Sequence, residues 1–200
     1  MLLQVRPILF IAVVIMLSVA TFYQNFLWLT EKGMWLGVMQ QSPRKARPHT
    51  NIGVLYDRDG KNVEAEREYK TAIRLEPDYL APYSSLAILY GKRGEIDKAI
   101  EIFQWVLPQL PNKDPKVYTG LGVAYMIKGL LKEAETEFKE ALKIEQNYAT
   151  AHLNLAEAYE RMGLKYDAMK SYQRFIETAS SVEEEERVEH VKMRLKQLAE

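Results

Sequence analysis

Two hundred residues with 27 Lys+Arg against 27 Asp+Glu, 48% hydrophobic content and no cysteine leave room for one folded domain or two small ones. The balance excludes a globally basic nucleic-acid binder and an acidic disordered tail. The missing cysteine excludes a disulfide framework, a cysteine nucleophile and a thiolate metal site.

Charge is unevenly laid out, with no charged residue between Pro7 and Thr30. The apolar run from Ile8 to Trp28 predicts a helix whose rise of about 1.5 Å per residue carries it roughly 30 Å, the thickness of a bilayer hydrocarbon core. Residues 1–30 are therefore expected to be a transmembrane anchor crossing once through 8–28. Arg6 would stand at one boundary, with Tyr23 and Trp28 at the other. Two alternatives remain. Ser18 and Ala20 allow a cleaved signal peptide with the mature chain starting at Thr21, and a buried helix of a soluble domain is the other. Phe22, Phe26, Leu27 and Trp28 extend the run beyond that cut and favour the retained span. Arg6 keeps the amino end inside and sends the rest of the chain out of the cytosol, into a periplasmic or lumenal space. Lys32, Arg44, Lys45 and Arg47 argue the opposite.

Residues 31–45 read as a juxtamembrane linker. The apolar stretch Gly33 to Met39 either lies along the interface or packs under the first soluble helix. Pro43 and Pro48 frame the basic turn Arg44-Lys45-Ala46-Arg47 and mark a boundary, since the residue before a proline is biased away from helix. That turn either touches anionic lipid or is a solvated linker.

An internal repeat occupies most of the remainder. Tyr56, Tyr90, Tyr125 and Tyr159 recur at spacings of 34, 35 and 34. Gly53, Ala87, Gly122 and Ala156 stand three residues before them, and Gly60, Gly94, Gly129 and Gly163 four residues after. Ala65, Ala99, Ala134 and Ala168 follow, then Tyr69, Phe103, Phe138 and Tyr172. Each unit predicts two helices around a glycine-bearing turn, for example Thr50 to Arg58 and Val63 to Leu75. The small column lets the paired helices approach, the aromatic column fills the next gap, and no unit is stable without its neighbours. The units span 46–79, 80–113, 115–148 and 149–182, the extra residue falling around Lys113-Asp114-Pro115. From 183 to 200, Ser181 and Glu184 predict a capping box, and Val188, Val191, Leu195 and Leu198 form one apolar face of a capping helix.

These columns resemble a tetratricopeptide repeat (TPR) array, carried by Asn-Ile-Gly-Val-Leu-Tyr at 51–56 and its counterparts at 85–90, 120–125 and 154–159. The resemblance implies an all-α chain in which the anchor is followed by a right-handed α-solenoid with a C-terminal cap. The first helix of each pair would line a concave groove for peptides or partner proteins. Tyr83 and Tyr118 match the aromatic that often opens a unit, while His49 and His152 replace it, which predicts looser packing there. The stretch from Tyr23 through Trp28, Trp35, Pro43 and Arg47-Pro48-His49-Thr50-Asn51-Ile52-Gly53 is also similar to the junction before the TPR tail of multi-span O-mannosyltransferase-like membrane glycosyltransferases.

Placing Asn51 on the groove side brings Val54 and Arg58 with it by spacings of three and four. The equivalent positions are Ser85, Ile88 and Lys92, then Gly120, Val123 and Ile127, then Asn154, Glu157 and Arg161, with Val123, Met126 and Ile127 as an apolar middle. Asn51 and Asn154 either grip a ligand backbone or cap local polar groups. No catalytic residue, cofactor or metal site is expected: His49, His152 and His190 lie in separate units, and no glycine loop follows a strand. Tyr83, Tyr118 and Trp105 read as repeat core rather than a nucleic-acid surface. The leading expectation is a membrane-anchored, non-enzymatic scaffold for protein or peptide partners. The alternative is an accessory or truncated tail of a membrane glycosyltransferase system that presents protein substrates.

Overall fold

The computed structural model describes residues 13–19, 22, 30–179 and 182–199, and among them every regular element is helical. From residue 31 these are α1 (Glu31–Gln41), α2 (Ala46–Arg58), α3 (Asn62–Leu75), α4 (Ala81–Lys92), α5 (Ile96–Val106), α6 (Pro115–Lys128), α7 (Leu131–Ile144), α8 (Ala149–Arg161), α9 (Lys165–Thr178) and α10 (Val182–Ala199). They fall into two compact units, one ending at Tyr79 and one beginning at Leu80.

Each helix pair turns on one glycine. Gly60, Gly94, Gly129 and Gly163 have φ of 73°, 80°, 83° and 77°, a left-handed conformation open to glycine at little cost. The residue after each glycine donates its N–H to the carbonyl of the column tyrosine, as in Leu130 to Tyr125 and Leu164 to Tyr159 at 2.9 Å. Carbonyls left over at the end of the first helix are thereby satisfied while the chain reverses. Two sequence columns, tyrosine and glycine, are thus the two ends of one hydrogen bond.

Packing follows the small-against-large rule. A Cβ on Gly53 would lie 2.6 Å from Tyr69 Cε1, and one on Gly122 would lie 2.5 Å from Phe138 Cε1. The ring occupies the space that the missing side chain leaves. The four column alanines are fully buried beside these rings.

In the 1–79 unit, α1 is capped by Thr30 Oγ1, which accepts from Gly33 N at 3.0 Å, and packs on α2. Of the two readings of the Gly33 to Met39 stretch, the one under the first repeat helix therefore holds. That helix starts earlier than Thr50. Ala46 opens it, its N–H held by Glu76 Oε1 at 3.1 Å, and Pro48 sits in the first turn, where no N–H is required.

In the 80–200 unit, α4 to α9 form three successive pairs and α10 covers the last. Val191 is buried, with Val188, Leu195 and Leu198 packed beside it on the core that holds Phe138, Leu155 and Phe175. The 35-residue spacing is taken up by a short 3-10 turn at Leu107–Gln109 and by Asp114, whose carboxylate accepts from Lys116 N at 2.9 Å. Trp105 departs from the core reading: it is 47% exposed and leans on Tyr83, ring centroids 4.6 Å apart.

The expected single-pass membrane location, with repeats outside the cytosol, is corrected. Among the described residues no helix is long and apolar enough to cross a membrane. Residues 13–19 and 22 are the described part of this run, and they are helical. The rest of the 8–28 run, apart from Phe22, lies outside the described residues, as does Ser181 of the expected capping box.

Candidate functional site

Helices α4, α6 and α8, the first of each pair in the 80–200 unit, present residues to one hollow of about 450 Å³, inside the roughly 300–1,000 Å³ range of ligand-binding clefts. Its apolar surface is Ile88, Val123 and Ile127 over Ala87, Ala124 and Phe103. Ile88 and Ile127 remain exposed at 38% and 53%, which is unusual for branched aliphatic side chains with a core available. Gly120 lies on the same wall. A Cβ there would meet Phe103 Cζ at 2.6 Å, so its absence lets α6 close on that ring.

Five of the sequence-predicted residues meet here: Ile88, Lys92, Val123, Ile127 and Asn154. Ser85 is half-buried and does not line the hollow. Met126 is not a groove residue; it is buried in the core with Phe138 and Tyr159. At 100° per residue Met126 lies 60° to one side of Val123 and Ile127 lies 40° to the other, and that small rotation decides core against groove. Arg161 is exposed and turns back to donate to the Met126 carbonyl at 2.8 Å. Asn51, Val54 and Arg58 belong to the 1–79 unit, where Val54 is 45% exposed and Arg58 pairs with Glu31 at 3.0 Å.

Four polar lining residues escaped the sequence reading: Lys116, Thr119, Tyr148 and Thr150. They sit outside the three-and-four pattern that was followed. Lys116 and Lys92 are both cationic, and no carboxylate is among the described residues that line the hollow. Burial pushes the Tyr148 phenol above its ordinary value, so it remains a hydrogen-bond donor.

A second cleft, of about 480 Å³, adjoins the first between α8 and α10. Thr150 and Asn154 line both, while Glu157, Glu186, Arg187 and His190 give the second a mixed charge. Loss of water there pushes the Glu157 carboxyl up, and neighbouring Glu160 adds to it. Glu160 itself is held low, first by its hydrogen bonds from Arg194 and further by the Tyr172 hydroxyl at 2.9 Å. This triad fastens α10 to α8 and α9.

Two of the three histidines, His49 and His152, are hydrogen-bonded within the repeats. His152 is buried rather than loosely packed, its Nε2 donating to the Gln146 carbonyl at 2.9 Å, and burial pushes its pKa down. His49 Nδ1 lies 2.7 Å from Glu68 Oε2. No group of three or more metal-ligating side chains is placed to hold an ion among the described residues.

Known proteins agree with this architecture. Models described as tetratricopeptide repeats match residues 58–123 and 150–180, and one described as a TPR repeat matches 122–163. The chain is a tetratricopeptide repeat protein. It is similar to the human protein O-mannosyl-transferase TMTC3, 25% identical over 154 residues, which is 77% of this chain and 16% of that protein. The sequence resemblance to such tails is therefore met. Among solved structures it is similar to YrrB, described as a TPR protein with an unusual peptide-binding site (TM-score 0.60, 16% identity, 72% of this chain and 74% of that one). MamA is similar as well (TM-score 0.61, 21% identity, 72% and 84%). The chain spans between 10% and 28% of the length of the curated relatives it matches.

Proposed function

We propose that the chain is a scaffold that binds a segment of a partner protein along the faces of its first helices, without catalysis of its own. The observation that carries this reading is the hollow of the 80–200 unit, where exposed Ile88 and Ile127 and half-buried Val123 are ringed by Lys92, Asn154 and Tyr148. Clefts with an apolar floor and a few convergent polar groups are the usual form of a binding site. YrrB, of similar fold, has a peptide-binding site, which supports the same use here. We assign Asn51, Val54 and Arg58 the corresponding role on the first repeat. The repeat boundaries 46–79, 80–113, 115–148 and 149–182, with the cap over 183–200, are part of this proposal.

Peptide display against the immobilised full chain tests it. Binders are expected, and Val123→Glu with Ile127→Glu should abolish their capture by placing charges on the apolar floor. Recovery of no binder above background, or capture that survives both substitutions, would overturn the reading. A second reading, as the accessory tail of a membrane glycosyltransferase system presenting protein substrates, is favoured by the similarity to TMTC3 over 77% of this chain. Co-purification with a multi-span transferase supports it, and recovery of the chain with no such partner rejects it.

A further inference from the structure

The hollow contains one side chain that the fold leaves unfinished. Thr119 is 5% exposed, lines the hollow, and its Oγ1 is buried with no hydrogen-bond partner. Other helical threonines of the chain solve this problem locally. Thr50, Thr71, Thr136 and Thr178 donate to the carbonyl four residues earlier, at 3.1, 2.8, 3.0 and 2.8 Å. Thr50 occupies the same repeat column as Thr119, six residues before the column tyrosine. Proline at 115 does not explain the difference, because it keeps its carbonyl. An unpaired buried hydroxyl in a folded protein calls for an explanation, and a ligand that completes it is one. Threonine has two accessible χ1 states in a helix, so its hydroxyl can turn toward an occupant of the hollow.

The charges state what that occupant carries. Lys92 and Lys116 are the charged residues lining the hollow and both are positive, with the Asp114 carboxylate at the rim turned to Lys116 N at 2.9 Å, whereas Glu157 and Glu186 line the neighbouring cleft. An apolar floor of this size accepts an aliphatic or aromatic side chain.

Resting on the peptide-binding reading above, we infer that the hollow takes an acidic amphipathic peptide segment. An apolar side chain seats on Ile88, Val123 and Ile127, and adjacent Asp or Glu side chains meet Lys92 and Lys116. Thr119 and Asn154 hydrogen-bond the backbone of the segment between them.

Four short labelled peptides test this against the full chain by fluorescence anisotropy, all amidated so that side chains are the only source of carboxylate. They carry a Phe anchor flanked by Glu, by Gln or by Lys, and a Glu-flanked Ala in its place. The Glu-flanked Phe peptide is expected to bind about three- to tenfold tighter than its Gln counterpart, the scale of two exposed ion pairs, and to weaken with salt. Lys92→Glu with Lys116→Glu should invert the preference toward the Lys-flanked peptide. Thr119→Val should weaken binding roughly three- to tenfold, the scale of one hydrogen bond, without lowering the Tm. A merely structural threonine would lower the Tm and leave binding alone. Equal binding of the Glu, Gln and Lys probes, lost on Ile127→Glu, overturns the inference while the peptide reading stands. Failure of all four probes also overturns it, and the display selection then decides whether the peptide reading falls too. Displacement of the probe by a single-stranded oligonucleotide would overturn it in favour of a nucleic-acid occupant.

Discussion

The first helix pair, α2 with α3, and the third, α6 with α7, carry the same residue types on the same columns and complete them differently. Both have a threonine six residues before the tyrosine, a glycine three before it and an aromatic opposite that glycine. In the first pair the polar groups close on themselves: Thr50 donates to Ala46 O, Ala46 N donates to Glu76, and His49 meets Glu68. In the third pair Thr119 has no partner, Gly120 replaces Asn51, and Val123 and Ile127 stand over an open hollow. The repeat columns therefore secure the packing of every pair and decide nothing about its outer face. Sites arise where one pair departs from its siblings.

The aromatic column should tolerate least. Phe138 is fully buried against Gly122, so Phe138→Ala is expected to cost about 3–5 kcal/mol in urea unfolding followed by circular dichroism. A loss near zero would mean that the third pair is not held by this contact.

Filling the glycine comes next. Gly122→Val and Gly53→Val should each cost about 1–3 kcal/mol, because the added Cβ would lie 2.5 Å from Phe138 and 2.6 Å from Tyr69 respectively. Equal losses keep the two pairs alike in their cores, as the comparison requires.

The threonines should then separate the pairs. Thr50→Val removes a made hydrogen bond and should cost about 1 kcal/mol, while Thr119→Val removes a hydroxyl that has none and should cost nothing or stabilise. Matching losses at both positions, measured in the same assay, would break the comparison.

The smallest effects lie in the fourth pair and concern pH. Glu160 is held below its ordinary value by Arg194 and Tyr172, so its contribution is present above the unfolded carboxyl pKa, about 4.3, and is lost as pH falls through the lower folded value. Glu157 is shifted the other way by loss of water. Its ionisation opposes the fold, and the penalty grows as pH rises through the ordinary value toward the raised one. Glu157→Gln should therefore stabilise the protein at neutral pH and lose that gain in acid. Glu160→Gln should destabilise it at neutral pH. The Tm of both variants between pH 3 and 8 would show the opposite slopes.

Much of this was legible in the chain alone. Tyrosine, glycine, alanine and aromatic columns at near-constant spacing determined the paired helices, their turns and their small-against-large packing, because each depends on residues close in sequence or one helix apart. The apolar face of α10 was equally plain from its spacing. The site was legible only in part. Ile88, Lys92, Val123, Ile127 and Asn154 were found by helical spacing, which names a face, whereas Met126 was misplaced because the edge of that face depends on a few tens of degrees of rotation.

Tertiary structure alone decided that edge, and with it Lys116, Thr119, Tyr148 and Thr150, which come to one hollow from α6 and from the start of α8. It also decided that His152 is buried and Trp105 is not. Hydrophobic periodicity reports which residues avoid water. Which buried hydroxyl is left without a partner is set by where three separate helices place their atoms, and no local pattern contains that distance.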